Sequence, residues 1–230
     1  MDTGYAVLPK IGSEAPGYGL YSYAILPLQS PRSASFLAEV FRSTPGVEGL
    51  QIGRDQLNVL YVPIQSGKLS RFQQRREQLG SNADGLGADF AGTFYDYGTA
   101  RAILAHICGY PPEDIREFCM TDVMSGGPYL FSYARPASSQ EQVPPPYLLV
   151  DLTGVDPRAY GVLLSAFREQ VKRDDMSDKA RIGTLQQRVL NVILIASDLI
   201  DPMQRAVEDL MKNIVHTAEA RDAPKPDSPK

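Results

Sequence analysis

A chain of 230 residues with 43% hydrophobic and 22% charged side chains is long enough to bury a substantial core, and its make-up excludes the collagenous, disulfide-scaffold and wholly disordered classes. Lys and Arg number 23 against 27 Asp and Glu, a formal charge of -4 that repels polyanions, so nucleic acid is not expected as a partner. The longest apolar run, Val192 to Ala196, is far below the roughly 20 residues of a membrane-spanning helix, so no membrane span is expected.

Met1 to Gly19 carries Pro, Gly and charges without the apolar centre of a secretion signal, and is expected to be an irregular N-terminal arm. Together with two cysteines outside any C-x-x-C pair, this predicts a cytoplasmic protein, exported only where a targeting segment has been removed. In an exported chain Cys108 and Cys119 would be able to bridge across the Tyr110-Pro111-Pro112 turn, the lesser of the two readings.

In chain order, Leu20 to Leu26 reads as a strand that ends at Pro27. Ser30 then caps a helix with Pro31 at its first position and Phe36, Leu37, Val40 and Phe41 at helical spacing, stopping near Thr44. Leu57 to Ile64, rich in β-branched and aromatic residues, is a second strand, followed by a polar helix from about Lys68 to Leu79. Arg71, Arg75 and Arg76 on this helix form a basic cluster, read as a solvated face with contact to an acidic surface as the alternative.

The glycine-rich segment Gly80 to Gly92 is expected to be a mobile or ligand-contacting loop. Thr93 and Asp96 stand as a capping-box variant before a helix from Tyr95 to Cys108, and a short helix follows Pro112. Tyr129 to Tyr133 and Tyr147 to Leu152 read as antiparallel strands, the second at the centre of the sheet because its apolar run does not alternate. Ser22-Tyr23-Ala24 is echoed by Ser132-Tyr133-Ala134, which shared strand chemistry or chance explains.

Asp156 and Pro157 open a helix with Tyr160, Leu163, Leu164, Phe167 and Val171 on one stripe. A second long helix runs from about Asp178 to Ile200, apolar over a wide arc. Asp201-Pro202 opens a third, with Met203, Val207, Leu210, Met211, Ile214 and Ala218 at near-heptad spacing. The predicted fold is therefore α+β: a mixed sheet of about four strands in the order β-α-β-α-α-β-β, covered by helices and followed by three C-terminal helices. It forms one domain over residues 20–220, with a helical hairpin at about 178–220 and a disordered tail at 221–230.

Motifs with defined chemistry fail on inspection. Gly12 to Gly17 has the outer spacing of a phosphate loop, but Tyr18 stands where the lysine is needed. Ser125-Gly126-Gly127-Pro128 lacks the nucleophile-elbow pattern. His106 and Cys108, two apart on one helix, point about 200° apart, so with Cys119 they read as a core histidine and buried thiols rather than metal ligands. No cofactor or metal is implied. The tyrosines are divided between core and binding surface, with core favoured.

Two functional expectations follow. The first is a non-enzymatic interaction or regulatory protein that docks a protein partner or a second copy through Met203, Val207, Leu210, Met211 and Ile214. The second is a small-ligand sensor or enzyme with the Gly80 to Gly92 loop as lid over Asp96, Arg101 and Asp151. Helix capping and turn formation stand as alternative explanations of the two aspartates.

Overall fold

The computed structural model describes residues 1–79, 86–109, 111, 113–139, 147–173 and 215–218. Its centre is a mixed six-stranded sheet of β1 (Asp2–Leu8), β2 (Leu20–Ile25), β3 (Leu57–Pro63), β4 (Tyr129–Tyr133), β5 (Tyr147–Asp151) and β6 (Val215–Ala218). The strand order is β1-β3-β2-β4-β5-β6. Strands β1 and β2 both run parallel to β3, while β4 is antiparallel to β2 and β5, and β6 is antiparallel to β5. The helices are α1 (Pro31–Ser43), α2 (Leu69–Leu79), α3 (Leu86–Thr93), α4 (Tyr97–Gly109), α5 (Glu113–Met120) and α6 (Tyr160–Arg173). The α+β class, the four expected strands and their order among the helices are as the sequence predicts.

Four local expectations are overturned. Strand β5 stands beside the edge strand β6 and not at the centre of the sheet, which β2 and β4 occupy. The expected N-terminal arm contains β1, which takes parallel partners along the whole of β3 and packs Tyr5 against Phe41 of α1 at 5.1 Å between ring centroids. Such a strand is stabilised by pairing with residues some fifty positions away, which local composition does not reveal. The second half of the Gly80 to Gly92 segment is helix α3, whose Phe90 and the following Phe94 are buried beside Phe72. Burial of those rings outweighs the cost of glycine in a helix, about 1 kcal/mol each.

Helix α6 is the first of the three expected C-terminal helices. The second, and Met203, Val207, Leu210, Met211 and Ile214 of the third, lie outside the described residues. Val215–Ala218, however, is a strand on the edge of β5 and not the end of a helix. Alternating β-branched Val215 and Thr217 suit a ladder position, and pairing with an open edge satisfies backbone groups that β5 would otherwise expose.

The sheet buries both faces. On one, Tyr61, Tyr23, Phe131 and Tyr147 form an aromatic row across β3, β2, β4 and β5, with successive ring centroids 5.7, 6.1 and 6.0 Å apart. This face is closed by α4 and by the turn at Ala137, whose N–H donates to the Tyr23 hydroxyl at 2.8 Å and whose carbonyl meets His106 Nε2 at 2.9 Å. The other face carries Tyr5, Leu60, Ser22 and Leu130 and is covered by α1 and α6. Tyr95 joins the layers by donating to the Ala24 carbonyl and accepting from the Leu26 N–H. The tyrosine clusters are therefore chiefly core: Tyr21, Tyr23, Tyr95, Tyr129 and Tyr133 are all buried.

A longer internal echo than the Ser-Tyr-Ala triplet becomes visible once the elements are known. Residues 20–43 and 146–169 align without a gap, pairing Tyr21 with Tyr147, Leu26 with Leu152, Pro31-Arg32 with Pro157-Arg158, Leu37 with Leu163, and Phe41-Arg42 with Phe167-Arg168. Each segment is a strand followed by a proline-started helical stretch: Pro31 opens α1 after β2, Pro157 opens a 3-10 turn that leads into α6 after β5, and the two helices lie against one another. Phe36 meets Tyr160 edge to face at 5.5 Å. Arg32 Nη1 donates to the Val155 carbonyl in the turn that precedes α6, and Arg168 Nη1 donates to the Ser43 carbonyl at the end of α1.

Among the described residues no helix is long and apolar enough to cross a membrane. Cys108 at the end of α4 and Cys119 in α5 form a disulfide with Cα atoms 5.4 Å apart, the reading that the sequence ranks second.

Candidate functional site

Neither of the two cavities described below is lined by Asp96, Arg101 or Asp151, the three ligand-binding candidates from the sequence. Asp96 caps α4, accepting from the Thr99 N–H and the Thr99 hydroxyl, both at 3.0 Å, while Thr93 of the expected capping box is the last residue of α3. Asp151 ends β5 and accepts from the Thr153 N–H at 2.8 Å in a short turn. These are the capping and turn roles held as alternatives. Arg101 is exposed on α4. Since β2 and β4 separate β3 from β5, the sheet edges leading to the two aspartates stand three strand spacings apart, about 14 Å.

A different set of residues converges where α1 ends. The C-cap Thr44 is buried and its N–H returns to the Val40 carbonyl, which turns the chain through Pro45 and Gly46 against β1; the Tyr5 N–H donates to the Pro45 carbonyl at 2.8 Å. On α2, Phe72 and Arg76 are one turn apart and face the same way. Phe72 anchors the helix in a cluster with Phe41, Phe90 and Phe94, and Arg76 is thereby laid over the Tyr5 ring, 4.7 Å from its centroid. Gly46 leaves room for this: a Cβ there would stand 2.6 Å from Arg76 Nη2.

The result is a cavity of about 110 Å³ lined by Tyr5, Phe41, Thr44, Pro45, Gly46, Arg76 and Phe90. Tyr5 is 3% exposed, and no hydrogen bond among the described residues uses its hydroxyl. Burial pushes that phenol up to about 12, with Arg76 pulling it down and Glu48 pushing it further up, so it is a neutral donor at physiological pH. The Arg76 guanidinium makes no ion pair among the described residues. Arg76, the hydroxyl-bearing Tyr5 and Thr44, and two phenylalanines thus line one small space, a residue set that carries donors suited to an anion.

The sequence reading missed these residues. Tyr5 lay in the expected arm, and Arg76 was grouped with Arg71 and Arg75 in a basic cluster that the fold divides. Arg71 and Arg75 remain exposed and, with Gln74, Gln78, Thr93 and Phe94, line a shallow groove of about 330 Å³ on the other side of α2. The Phe72-to-Arg76 spacing was the available signal, since a lone apolar residue one turn from an arginine on a polar helix marks the face that docks.

Among the described residues no group of three His, Cys, Asp or Glu side chains is placed to hold a metal, and both cysteines are consumed by the disulfide. No protein-family model matches this chain, and neither does any curated protein or solved structure.

Proposed function

We propose that the protein is a non-enzymatic binding protein that holds a small anion in the cavity between Tyr5, Thr44 and Arg76. The observation that carries this reading is a Tyr5 hydroxyl with no hydrogen bond and an Arg76 guanidinium with no ion pair among the described residues, on two residues that line one cavity. An anion in the cavity would accept charge-assisted hydrogen bonds from donors already in place. It moves the small-ligand reading of the sequence away from Asp96, Arg101 and Asp151. Partner docking through Met203 and its neighbours is a separate proposal that the cavity neither requires nor opposes.

The test is thermal denaturation with increasing phosphate, sulfate or acetate at constant ionic strength. Wild type and Gly46→Ala are compared. Gly46 has φ of -68°, which alanine adopts freely, and the atoms its Cβ would meet are the mobile ends of Arg76 and Glu48, so the variant should fold while displacing the guanidinium. An anion at ten times its dissociation constant would add about 1.4 kcal/mol to the wild type and nothing to the variant. No anion-specific stabilisation, or an equal effect in both proteins, rejects the reading.

A further inference from the structure

We infer that the anion is a short-chain monocarboxylate, an inference that rests on the binding reading above and narrows it. Size is the first argument. An engineered cavity of about 150 Å³ accommodates benzene, so 110 Å³ holds about four or five non-hydrogen atoms. That is the size of acetate or propionate.

The chemistry of the lining is the second argument. Arg76 presents a planar fork of N–H donors, which matches the two oxygens of a carboxylate, and Tyr5 and Thr44 contribute further hydroxyls. Phe41 and Phe90 supply apolar wall. A carboxylate with a one- or two-carbon stub has one polar end and one apolar end, and divides itself between the two kinds of lining. Phosphate presents oxygens in every direction, so some would be turned to the phenylalanine rings unpaired, at a cost.

The experiment is isothermal titration of the full chain with acetate, propionate, butyrate, propionamide and inorganic phosphate. Burial of one added methylene predicts about fourfold tighter binding of propionate than acetate. Butyrate should add little further gain, because its extra methylene extends from the pocket mouth into solvent. Propionamide, which keeps the shape without the charge, and phosphate should each bind at least about tenfold more weakly than propionate. Arg76→Gln should remove the difference between propionate and propionamide. Phosphate binding as tightly as propionate, or affinity indifferent to chain length, overturns the monocarboxylate while leaving the anion site standing. No binding by any of the anions overturns both.

Discussion

The Ser22 and Ser132 hydroxyls stand 2.8 Å apart on directly opposed residues of β2 and β4, both buried in the sheet. They belong to a directed chain. Ser22 donates to Asn58 Oδ1 at 2.8 Å, which uses its one proton, so Ser132 must be the donor to Ser22. Asn58 Nδ2 passes the chain on to the Thr3 hydroxyl of β1 at 3.3 Å. Four strands are joined by this polar row within an otherwise apolar face, and a one-residue slip of any strand would turn its member to the aromatic face.

Direction in that chain makes the two serines unequal. Ser22→Ala strips the Asn58 carbonyl of its donor in a water-free interior and should cost about 1–3 kcal/mol. Ser132→Ala leaves Ser22 still donating to Asn58 and should cost about 0.5–1.5 kcal/mol. Urea denaturation of the two variants measures the difference. Equal losses would mean that the row is not ordered in this sense.

The buried tyrosines predict an alkaline limit to stability. Burial raises Tyr5, Tyr97 and Tyr129 to about 12 from an unperturbed 10.0, and pushes Tyr23, Tyr61 and Tyr95 higher. A phenol raised in the folded state stabilises it fully below the unfolded value. That contribution is lost as pH rises through the folded values, so unfolding should become easier above about pH 10. At pH 11 the native chain should show markedly less phenolate absorbance than the urea-unfolded chain. A native titration that coincides with the unfolded one would contradict the burial of these rings.

Local signals explain what could be read in advance. Ser30-Pro31 with its apolar stripe gives α1 and its stop at Thr44, and Asp96 caps a helix, because each depends on neighbours within a few residues. Strand β1 and the Tyr5-Arg76 contact depend on residues far apart in sequence, and β6 depends on an available edge of β5, so periodicity was silent on the first two and misleading on the third. The echo of Ser22-Tyr23-Ala24 in Ser132-Tyr133-Ala134 brings the two serines face to face in the sheet. The wider likeness of β2-α1 to β5-α6 was hidden because only a few positions are identical.

The Cys108–Cys119 bridge predicts a chemical phenotype. The protein purified without reductant should show no free thiol after denaturation, since both cysteines are paired. Closing a loop across eleven residues stabilises by about 3 kcal/mol in the chain-entropy description, so reduction should lower the denaturation midpoint accordingly. A reducing cytoplasm, the setting expected from the sequence, would oppose the bridge. Trapping thiols with an alkylating reagent in intact cells therefore also tests that setting, and two alkylated cysteines would place the working protein in the reduced form.

The two arginines that clamp α1 to α6 should act independently. Arg32 holds the turn leading into α6 through the Val155 carbonyl at 2.7 Å, and Arg168 holds the end of α1 through the Ser43 carbonyl. Arg32→Met keeps much of the apolar stem and removes the donor, so the lost bond should cost about 1.5 kcal/mol; Arg168→Met should behave alike. Arg32 and Ser43 are eleven helical steps apart, about 17 Å along α1, beyond the range in which substitutions normally couple. The double variant should therefore lose the sum of the single losses to within about 0.5 kcal/mol. A loss well below the sum would mean that either single substitution already releases both ends, making α6 a unit that detaches from the β2-α1 half as a whole.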